Sequence, residues 1–291
     1  MTNTHVIACI PYFNCRQYVR RAVKSLLSQT HKNLTVVVIN DADFITPPWP
    51  EIDDIDDSRL VRFEMTENKG PYFAIQVLLE ATNAPFLLIQ DADDWSEPER
   101  VSVLLQRAID DAADFVISSQ TERDDYDSVI AMRWENDYSK NSRFYFQPSV
   151  TPQFNNRAGH QGLFKIQALK KIGGYYGGFK INYDVFLTNI VLMAFRVSHV
   201  DIPLYNYFRR KDSLSRGEEF GYHSEERKKV KSILASMYDT AYTKYSRHLR
   251  GDINAADFFS SIFDLCKKNI TDDESSTLSY ETFRLSKLLN I

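Results

Sequence analysis

Short apolar segments alternate with segments of helical period through roughly the first 120 residues, and this alternation is the strongest constraint on the fold. Continuous β-rich runs lie at Val6–Ile10, Thr35–Ile39 and Pro85–Ile89. Between the first two runs, apolar side chains recur at the spacing of one helix face, at Val19, Ala22, Val23, Leu26 and Leu27. Apolar strands separated by helices are typical of a parallel sheet that is covered on both faces. The sequence therefore predicts an α/β fold.

The remaining segments extend this pattern and then depart from it. Leu60–Phe63 and Asp114–Ser118 are further predicted strands. After about residue 120 the segments become rich in Tyr, Phe and Arg, and Ser128–Trp134 and Arg143–Pro148 are predicted to add antiparallel strands at an edge. From Glu218 onward the pattern is mostly helical. We therefore expect a βα-repeating first half and a helical end.

Acidic residues follow two of the predicted strands. Asp41 and Asp43 come after the second apolar run, and Asp91, Asp93 and Asp94 come after the third. Because ligands bind beyond the carboxyl ends of the strands in such sheets, we expect five carboxylates around one crevice. Clustered carboxylates suit Mg²⁺ or Mn²⁺, held by one or two of them and by substrate phosphates. The alternative is that these aspartates are only turn and N-cap residues.

Charge and cysteine content argue against several classes of function. The formal net charge of -4, from 35 basic and 39 acidic residues, argues against nucleic acid as the main substrate or partner. Three scattered cysteines are too few for a disulfide framework or a zinc site. The sequence does not begin like a secretory leader, and no window approaches the ~20 apolar residues of a membrane span. A cytoplasmic protein is expected, and contact with the inner face of a membrane stays open.

Three segments carry a resemblance to a known family: IPYFNCRQYVRRAVKSLLSQTHKNLTVVVIND (Ile10–Asp41), NKGPYFAIQVLLEAT (Asn68–Thr82) and PFLLIQDADDWSEPERV (Pro85–Val101). They resemble the family 2 glycosyltransferases of the GT-A fold, and the similarity extends over roughly Val6 to Ser215. Its most specific parts are SLLSQT (Ser25–Thr30) and DADDWSEPER (Asp91–Arg100). A bare D-x-D motif is weak by itself, but in this setting it is specific.

The resemblance implies a particular architecture. We expect the α/β GT-A nucleotide-sugar-binding fold, with a mostly parallel central sheet flanked by helices and a helical C-terminal extension. Residues 1–216 would form the transferase domain, with a nucleotide half at about 1–120 and an acceptor half at about 121–216. Residues 217–291 would form the extension.

The resemblance also implies residues that bind a nucleotide-diphosphate sugar, expected to be UDP-linked. Pro11 and Phe13 match positions whose backbone and ring line the base pocket. Asp41 matches the acidic residue that holds the base or ribose, and Asn68 and Lys69 match the next nucleotide-side loop. Two parts depart from the family pattern: the usual Asp-Asp-Gly-Ser is here Asn-Asp-Ala-Asp, and the usual Arg-Asn after the loop is Ile-Gln.

The D-x-D motif is implied to bind the ribose and a metal ion. Asp91 would lie near the ribose, and Asp93 would bind Mn²⁺ or Mg²⁺, the expected cofactor. Asp94 is expected to support the motif or to cap the next helix.

The second half resembles the acceptor-side segment of the family. Asp184 matches the expected catalytic base, and a purely local role at a helix start is the alternative. The preceding residue is Tyr183, where the family usually has Glu. Arg209, Arg210 and Lys211 are candidates for contacts with the diphosphate, or else belong to a solvated basic loop. His160 has no partner at a metal-ligand spacing and is expected to be structural.

These expectations describe an inverting, metal-dependent glycosyltransferase of cell-surface polysaccharide or glycoconjugate synthesis. Asp184 would take the proton of an acceptor hydroxyl on a glycan or a lipid-linked molecule, and a single base without a second nucleophile favours inversion. Two other classes stay open. A sugar nucleotidyltransferase would need a Gly-rich first turn, which Pro11–Arg16 lacks, and a non-catalytic nucleotide-sugar-binding protein would keep only the fold. The basic stretch Tyr205–Arg250 could contact anionic lipid or a second subunit through the C-terminal helices, or form an ordinary charged face.

Overall fold

The computed structural model describes residues 3–124, 126, 128–133, 159–210, 213–214, 219–221 and 223–290. The strand predicted at Arg143–Pro148 and the candidate residue Lys211 lie outside these ranges, and both stay predictions.

The first half of the chain forms four parallel strands with helices between them. Its elements are β1 (Val6–Tyr12), α1 (Arg16–Leu27), β2 (Leu34–Asn40), α2 (Trp49–Ile52), β3 (Leu60–Glu64), α3 (Pro71–Ala81) and β4 (Phe86–Ile89). The strands lie in the order β3-β2-β1-β4. Tyr12 pairs with Asn40, and Cys9 pairs with Ile89. The carboxyl ends of β1, β2 and β4 therefore open on one edge of the sheet.

The second half extends this sheet with strands of both directions. Its elements are β5 (Trp95–Ser96), α4 (Arg100–Asp110), β6 (Phe115–Arg123), β7 (Val129–Arg133), β8 (Gly162–Lys165), α5 (Ile166–Lys171), α6 (Tyr183–Ala194) and β9 (Val197–Phe208). The order continues as β4-β8-β6-β9-β5, and β7 pairs with β6. Because β8 enters antiparallel between β4 and β6, the sheet is mixed beyond β4. The α/β class with flanking helices is confirmed.

Two apolar cores cover the two faces of this sheet, as the alternation of side chains along a strand requires. In β1, Ile7 and Cys9 belong to one core and Ala8 and Ile10 to the other. Helices α1 and α4 cover the second of these faces, through buried residues such as Leu26. Helices α3 and α6 cover the first.

Three C-terminal helices join the core on the side of α3 and α6. They are α7 (Glu225–Leu249), α8 (Ala255–Lys267) and α9 (Asp272–Leu288). Their N-termini are capped by the side chains of Ser224, Asn254 and Thr271, and the last of these forms a full capping box. Leu234 and Leu285 are buried in the same core as α3 and α6. The helical end is confirmed, while a domain boundary near residue 216 stays a prediction. Within the described ranges, no helix is both long and apolar enough to cross a membrane.

Candidate active site

The end of β2 carries a buried carboxylate, Asp41, which is 2% exposed. Its Oδ1 accepts a hydrogen bond from the backbone N–H of Lys69 at 2.8 Å. Its Oδ2 accepts from the N–H of Gly70 at 2.7 Å and from the side-chain amide of Asn68 at 3.0 Å. Burial raises the pKa of Asp41 to about 6, although the two backbone hydrogen bonds act in the opposite direction. Gly70 has a φ of +95°, which favours glycine, so the loop Asn68–Gly70 can fold against this carboxylate.

A second aspartate ties the turn after β1 to the turn after β2. Oδ2 of Asp43 accepts hydrogen bonds from the N–H of Asn14 at 2.9 Å and from the Thr46 hydroxyl at 2.6 Å. Burial opposes ionisation of this carboxyl, but the hydrogen bonds outweigh burial and lower its pKa. Pro11 is buried in β1, whereas Phe13 is 51% exposed beside this turn. Phe13 therefore presents an open aromatic ring at the edge where Asp41 lies.

Asp94 of the D-x-D segment is bound by the end of β9. Its Oδ2 accepts from the hydroxyl of Tyr205 at 2.5 Å, and its Oδ1 accepts from the N–H of Phe208 at 2.7 Å. Burial, followed by repulsion from Asp93 and Asp91, raises the pKa of Asp94 well above its usual range. Like Asp43, this carboxylate is engaged by the protein itself. Asp41, Asp43 and Asp94 are thus all buried and hydrogen-bonded within the protein, and the expectation that five carboxylates surround one crevice stays a prediction.

Asp93 forms an ion pair with Arg210 of the segment after β9. Nε of Arg210 lies 2.6 Å from Oδ2 of Asp93, and its terminal nitrogens donate to the Asn14 carbonyl at 3.2 Å and to Cys15 Sγ at 3.1 Å. Burial raises the pKa of Asp93, Arg210 opposes this rise, and Asp91 adds to it. Arg210 thus places a buried positive charge beside the motif.

The side chains of Arg209 and Arg210, in the predicted basic loop, contact different parts of the protein. Arg209 lies 3.8 Å from Oε2 of Glu122, and its N–H donates to the carbonyl of Arg123 at 2.8 Å. Of the two residues of this basic loop that the structure describes, Arg210 is the one that reaches Asp93. Consecutive side chains of an extended segment point to opposite sides, so this alternation is the signal that separates Arg209 from Arg210.

The carboxylate oxygens at the D-x-D motif are suitable ligands for a divalent cation. Gln161 Nε2 donates to Oδ2 of Asp91 at 2.9 Å, and Arg210 engages Oδ2 of Asp93, so Oδ1 of each carboxylate lies outside these two contacts. A cation would relieve the repulsion between Asp91 and Asp93. Mg²⁺ and Mn²⁺ need only one or two protein carboxylates when phosphates complete the shell. In the described ranges no cluster of three or more metal-ligating side chains occurs, so ligand phosphates would have to complete the site.

Asp184 lies in the first turn of α6, where a helix N-terminus favours a carboxylate. Its Oδ1 accepts a hydrogen bond of 2.5 Å from the hydroxyl of Tyr72 on α3. Burial, and then the proximity of Asp184, raises the pKa of Tyr72 well above its usual value, so the phenol keeps its proton and donates. Asn182 begins the helix with a φ of +60°, and its Oδ1 accepts from Arg227 of α7.

The two residues before β8 connect the surroundings of Asp184 to the D-x-D motif. His160 Nδ1 lies 3.0 Å from the Tyr175 hydroxyl, and its ring meets that of Tyr72 edge-on at a centroid distance of 6.0 Å. The next residue, Gln161, donates to Asp91. His160 and Gln161 therefore link Tyr72, which donates to Asp184, to the D-x-D motif. Tyr72 and Gln161 are residues that the sequence analysis missed.

Tyr183 stands where the family usually has Glu, and its side chain belongs to the core. It is fully buried, and its hydroxyl donates to the carbonyl of Gly174 at 3.3 Å. A Cβ at Gly177 would come within 1.9 Å of the Tyr183 ring, so this glycine makes room for the tyrosine. The second glycine of the pair Gly177–Gly178 has a φ of +67°, which also favours glycine.

The SLLSQT segment has a structural role that explains its position in the sequence. Gln29 Nε2 donates to the carbonyl of Glu97 at 2.8 Å, and its Oε1 accepts from the N–H of Val101 at 2.9 Å. Ser25 Oγ accepts from the N–H of Ser96 at 3.1 Å. The end of α1 therefore holds the segment that follows the D-x-D motif.

The last helix contacts the loop that Asp41 holds. Oε1 of Glu281, on α9, accepts from the N–H of Thr66 at 2.8 Å and from its hydroxyl at 2.6 Å. Glu281 is completely buried and pairs through Oε2 with Arg284 at 2.7 Å. Lys69 lies 3.6 Å from Asp273 at the start of the same helix. The loop 66–70 is thus held by β2 on one side and by α9 on the other.

Comparison with known families decides the class of the protein. The sequence profile described as Glycosyl transferase family 2 matches residues 7–173, which is more than half of the chain. This chain belongs to glycosyl transferase family 2. The family 2 match contains Asp41, Asp91 and Asp93 and ends before Asp184.

Solved structures show that the fold of nearly the whole chain has a known counterpart. S. aureus TarS 1–349 in complex with UDP aligns with 99% of this chain and 89% of its own, at a TM-score of 0.61 and 15% identity. Its complex with UDP-GlcNAc gives a TM-score of 0.60 at 14% identity. The GT-A-like fold with flanking and C-terminal helices, expected from the sequence, is confirmed, and its sheet is mixed beyond β4 where a mostly parallel sheet was expected.

Relatives in sequence are also named as glycosyltransferases. Glycosyltransferase GlyA of Streptococcus pneumoniae is 24% identical over 227 residues, covering 74% of this chain and 32% of GlyA. Putative glycosyltransferase EpsH of Bacillus subtilis is 22% identical over 221 residues, covering 71% of this chain and 61% of EpsH. The aligned region therefore spans about a third of the first relative and three fifths of the second.

Proposed function

We propose that this protein transfers a sugar from a UDP-sugar to an acceptor hydroxyl, with inversion at the anomeric carbon. The observation that carries the proposal is the convergence of three parts on one edge of the sheet. These are Asp41 with the loop Asn68–Gly70, the Asp91–Asp93 motif, and Asp184 in contact with Tyr72. Family membership supplies the class of reaction.

The nucleoside is proposed to bind at the ends of β1 and β2. Phe13 offers its exposed ring for stacking on the base, with the backbone of Pro11 beside it. Asn68 and Lys69 line the other side, where Asp41 holds the side-chain amide of Asn68 and the backbone N–H of Lys69. UDP as the nucleotide is supported by the structural neighbour TarS, whose solved structures contain UDP or UDP-GlcNAc.

The diphosphate is proposed to lie next to the D-x-D motif, with Asp91 near the ribose. When bound, Mn²⁺ or Mg²⁺ on Asp93 would supply Lewis-acid charge to the diphosphate oxygens. Arg210 contributes a permanent positive charge at the same place. Three contacts hold its guanidinium, so this charge is already oriented before the leaving group forms. Arg209 and Lys211 stay candidates for outer contacts with the diphosphate.

Asp184 is proposed to be the general base. Tyr72 occupies Oδ1, so Oδ2 is the oxygen that takes the proton of the acceptor hydroxyl. The acceptor oxygen forms its bond to the anomeric carbon as the bond to the diphosphate breaks. The proton ends on Asp184 and the electron pair ends on the released UDP. A single displacement of this kind inverts the anomeric centre.

The acceptor is proposed to be a glycan or a lipid-linked saccharide in the synthesis of cell-surface polysaccharide. Support comes from WfaP of Escherichia coli, named as a UDP-Glc:alpha-D-GlcNAc-diphosphoundecaprenol beta-1,3-glucosyltransferase, which is 28% identical over 93 residues. This match covers 32% of the chain and 37% of WfaP. Action in the cytoplasm, in contact with the inner face of a membrane, is part of the same proposal.

Release of the nucleoside diphosphate tests the proposed function. The full chain is incubated with UDP-, GDP- and dTDP-sugars and Mn²⁺, with and without saccharide acceptors, and the diphosphate is measured. We expect the acceptor to stimulate release of the diphosphate from a UDP-sugar, and not from the GDP- and dTDP-sugars. The matched control, Asp184→Asn, should bind UDP as the wild type does and release little. UDP binding in calorimetry without acceptor-dependent release would favour the non-catalytic binding protein, and release of pyrophosphate from a sugar phosphate and UTP would favour the nucleotidyltransferase.

A further inference from the structure

Tyr72 contacts the proposed base through one oxygen. Its hydroxyl donates to Oδ1 of Asp184 at 2.5 Å, within the range of a charge-assisted hydrogen bond between a hydroxyl and a carboxylate. A bond of this kind stabilises the ionised carboxylate. It also fixes the rotation of the carboxyl group, which sets the direction of Oδ2.

The ring of Tyr72 is held in place by its neighbours. It stacks on Tyr175 at a centroid distance of 6.1 Å and meets the rings of His160 and Tyr183 at 6.0 Å each. Tyr72 is the second residue of α3, directly after Pro71, and α3 begins where Asp41 holds Gly70. The position of this hydroxyl therefore depends on the same loop that forms the proposed donor pocket.

We infer that Tyr72 is a positioning residue for the general base, whose hydroxyl holds Oδ1 of Asp184 and so orients Oδ2 toward the acceptor. The inference rests on the proposed function, because it takes Asp184 as the base. Tyr72 itself transfers no proton in the reaction. Its phenol stays protonated, since burial disfavours the phenolate.

The charged and titratable groups around this pair come from several elements. They are Tyr72 on α3, Asp91 after β4, His160 before β8, Tyr175 after α5, Tyr183 on α6 and, through Asn182, Arg227 on α7. Among these described groups, Tyr72 is the one that donates a hydrogen bond to the carboxylate of Asp184. Loss of its hydroxyl should therefore leave the rotation of that carboxylate unfixed.

The test compares Tyr72→Phe with Tyr183→Phe. Both variants remove one buried phenol hydroxyl, but the hydroxyl of Tyr72 donates to Asp184 and that of Tyr183 donates to the carbonyl of Gly174. We expect Tyr72→Phe to lower kcat roughly tenfold, with the KM for the acceptor and the affinity for UDP unchanged. Tyr183→Phe should leave kcat close to that of the wild type. Circular dichroism and thermal unfolding show whether both variants are folded.

A second measurement does not depend on turnover. ¹³C NMR of the aspartate carboxyl carbons at one fixed pH, with the Asp184 signal assigned by its loss in Asp184→Asn, reports the hydrogen bond that this carboxylate accepts. A signal that moves in Tyr72→Phe alone supports the inference. An unmoved signal, or an equal movement in Tyr183→Phe, overturns it. If the signal moves as expected but the wild type transfers no sugar, the contact with Tyr72 stands and the proposed function is wrong.

Discussion

Two aspartates at the same edge of the sheet, Asp41 and Asp184, have opposite surroundings. Asp41 accepts hydrogen bonds from two backbone N–H groups and one side-chain amide, and it is almost completely buried. Asp184 is half-buried, and its carboxylate accepts from the phenol of Tyr72. A carboxylate whose two oxygens both accept hydrogen bonds from a neighbouring loop has a structural role, because it fixes the backbone of that loop. A carboxylate held at one oxygen has the other available for a proton.

The largest expected effect is the loss of turnover on substitution of Asp184. Asp184→Asn keeps the size of the side chain and removes the proton acceptor. We expect kcat to fall by the ~10²–10⁴ that is typical of losing a general base, with donor affinity nearly unchanged. Steady-state transfer and UDP calorimetry on one preparation measure both quantities. Turnover close to that of the wild type would mean that another group is the base, and a matching loss of UDP affinity would place Asp184 on the donor side.

The second prediction concerns Asp41 and the stability of the fold. Its folded-state pKa of about 6 lies above the ~3.9 of an unfolded Asp, so between pH 4 and 6 the folded state binds more protons. The stability that this group contributes is present below pH 4 and is lost as pH rises through 6. The loss is about 3 kcal/mol, from about 1.4 kcal/mol per pKa unit.

Urea unfolding at pH 4, 5, 6 and 7 tests this dependence. Subtracting the free energy of unfolding of Asp41→Asn from that of the wild type isolates the contribution of the carboxyl group. The difference should become less favourable to the wild type as pH rises. A difference that grows in favour of the wild type would mean that the hydrogen bonds from the loop Asn68–Gly70 outweigh burial.

The smallest expected effect lies at the far side of the same loop. Glu281→Leu removes both hydrogen bonds to Thr66, whereas Glu281→Gln keeps an acceptor oxygen in place. We expect Glu281→Leu to weaken UDP binding roughly threefold to tenfold, with kcat at saturating donor little changed. Glu281→Gln should stay closer to the wild type. Calorimetry with UDP measures the difference, and equal affinity in all three proteins would show that α9 does not shape the donor pocket.

The sequence predicted the parts of this site that depend on local pattern. Apolar runs and helical spacing gave β1, β2 and β4, and therefore the edge where Asp41, Asp91 and Asp93 lie. Local pattern did not predict which carboxylates accept hydrogen bonds from distant parts of the protein. Asp94 accepts from Tyr205, 111 positions away, and Asp43 joins its near neighbour Thr46 to the distant Asn14.

The contacts that the sequence analysis missed join residues far apart in the chain. Tyr72 and Asp184 are separated by 112 positions, and Asp93 and Arg210 by 117. Periodicity describes the face on which a residue lies, but it does not identify the partner across the sheet edge. Tyr183 shows the same limit, because its side chain fills the space above Gly177 in the core.

The contact between Thr66 and Glu281 spans 215 positions of the chain, and this span has a consequence during synthesis. The ribosome completes β1, β2 and the loop 66–70 long before it adds α9. A nascent chain that already contains every nucleotide-side residue still lacks the buried carboxylate that holds Thr66. Full affinity for the donor should therefore arise only when the C-terminal helix has left the ribosome and docked, so a chain that stops short of Glu281 would bind the nucleotide poorly.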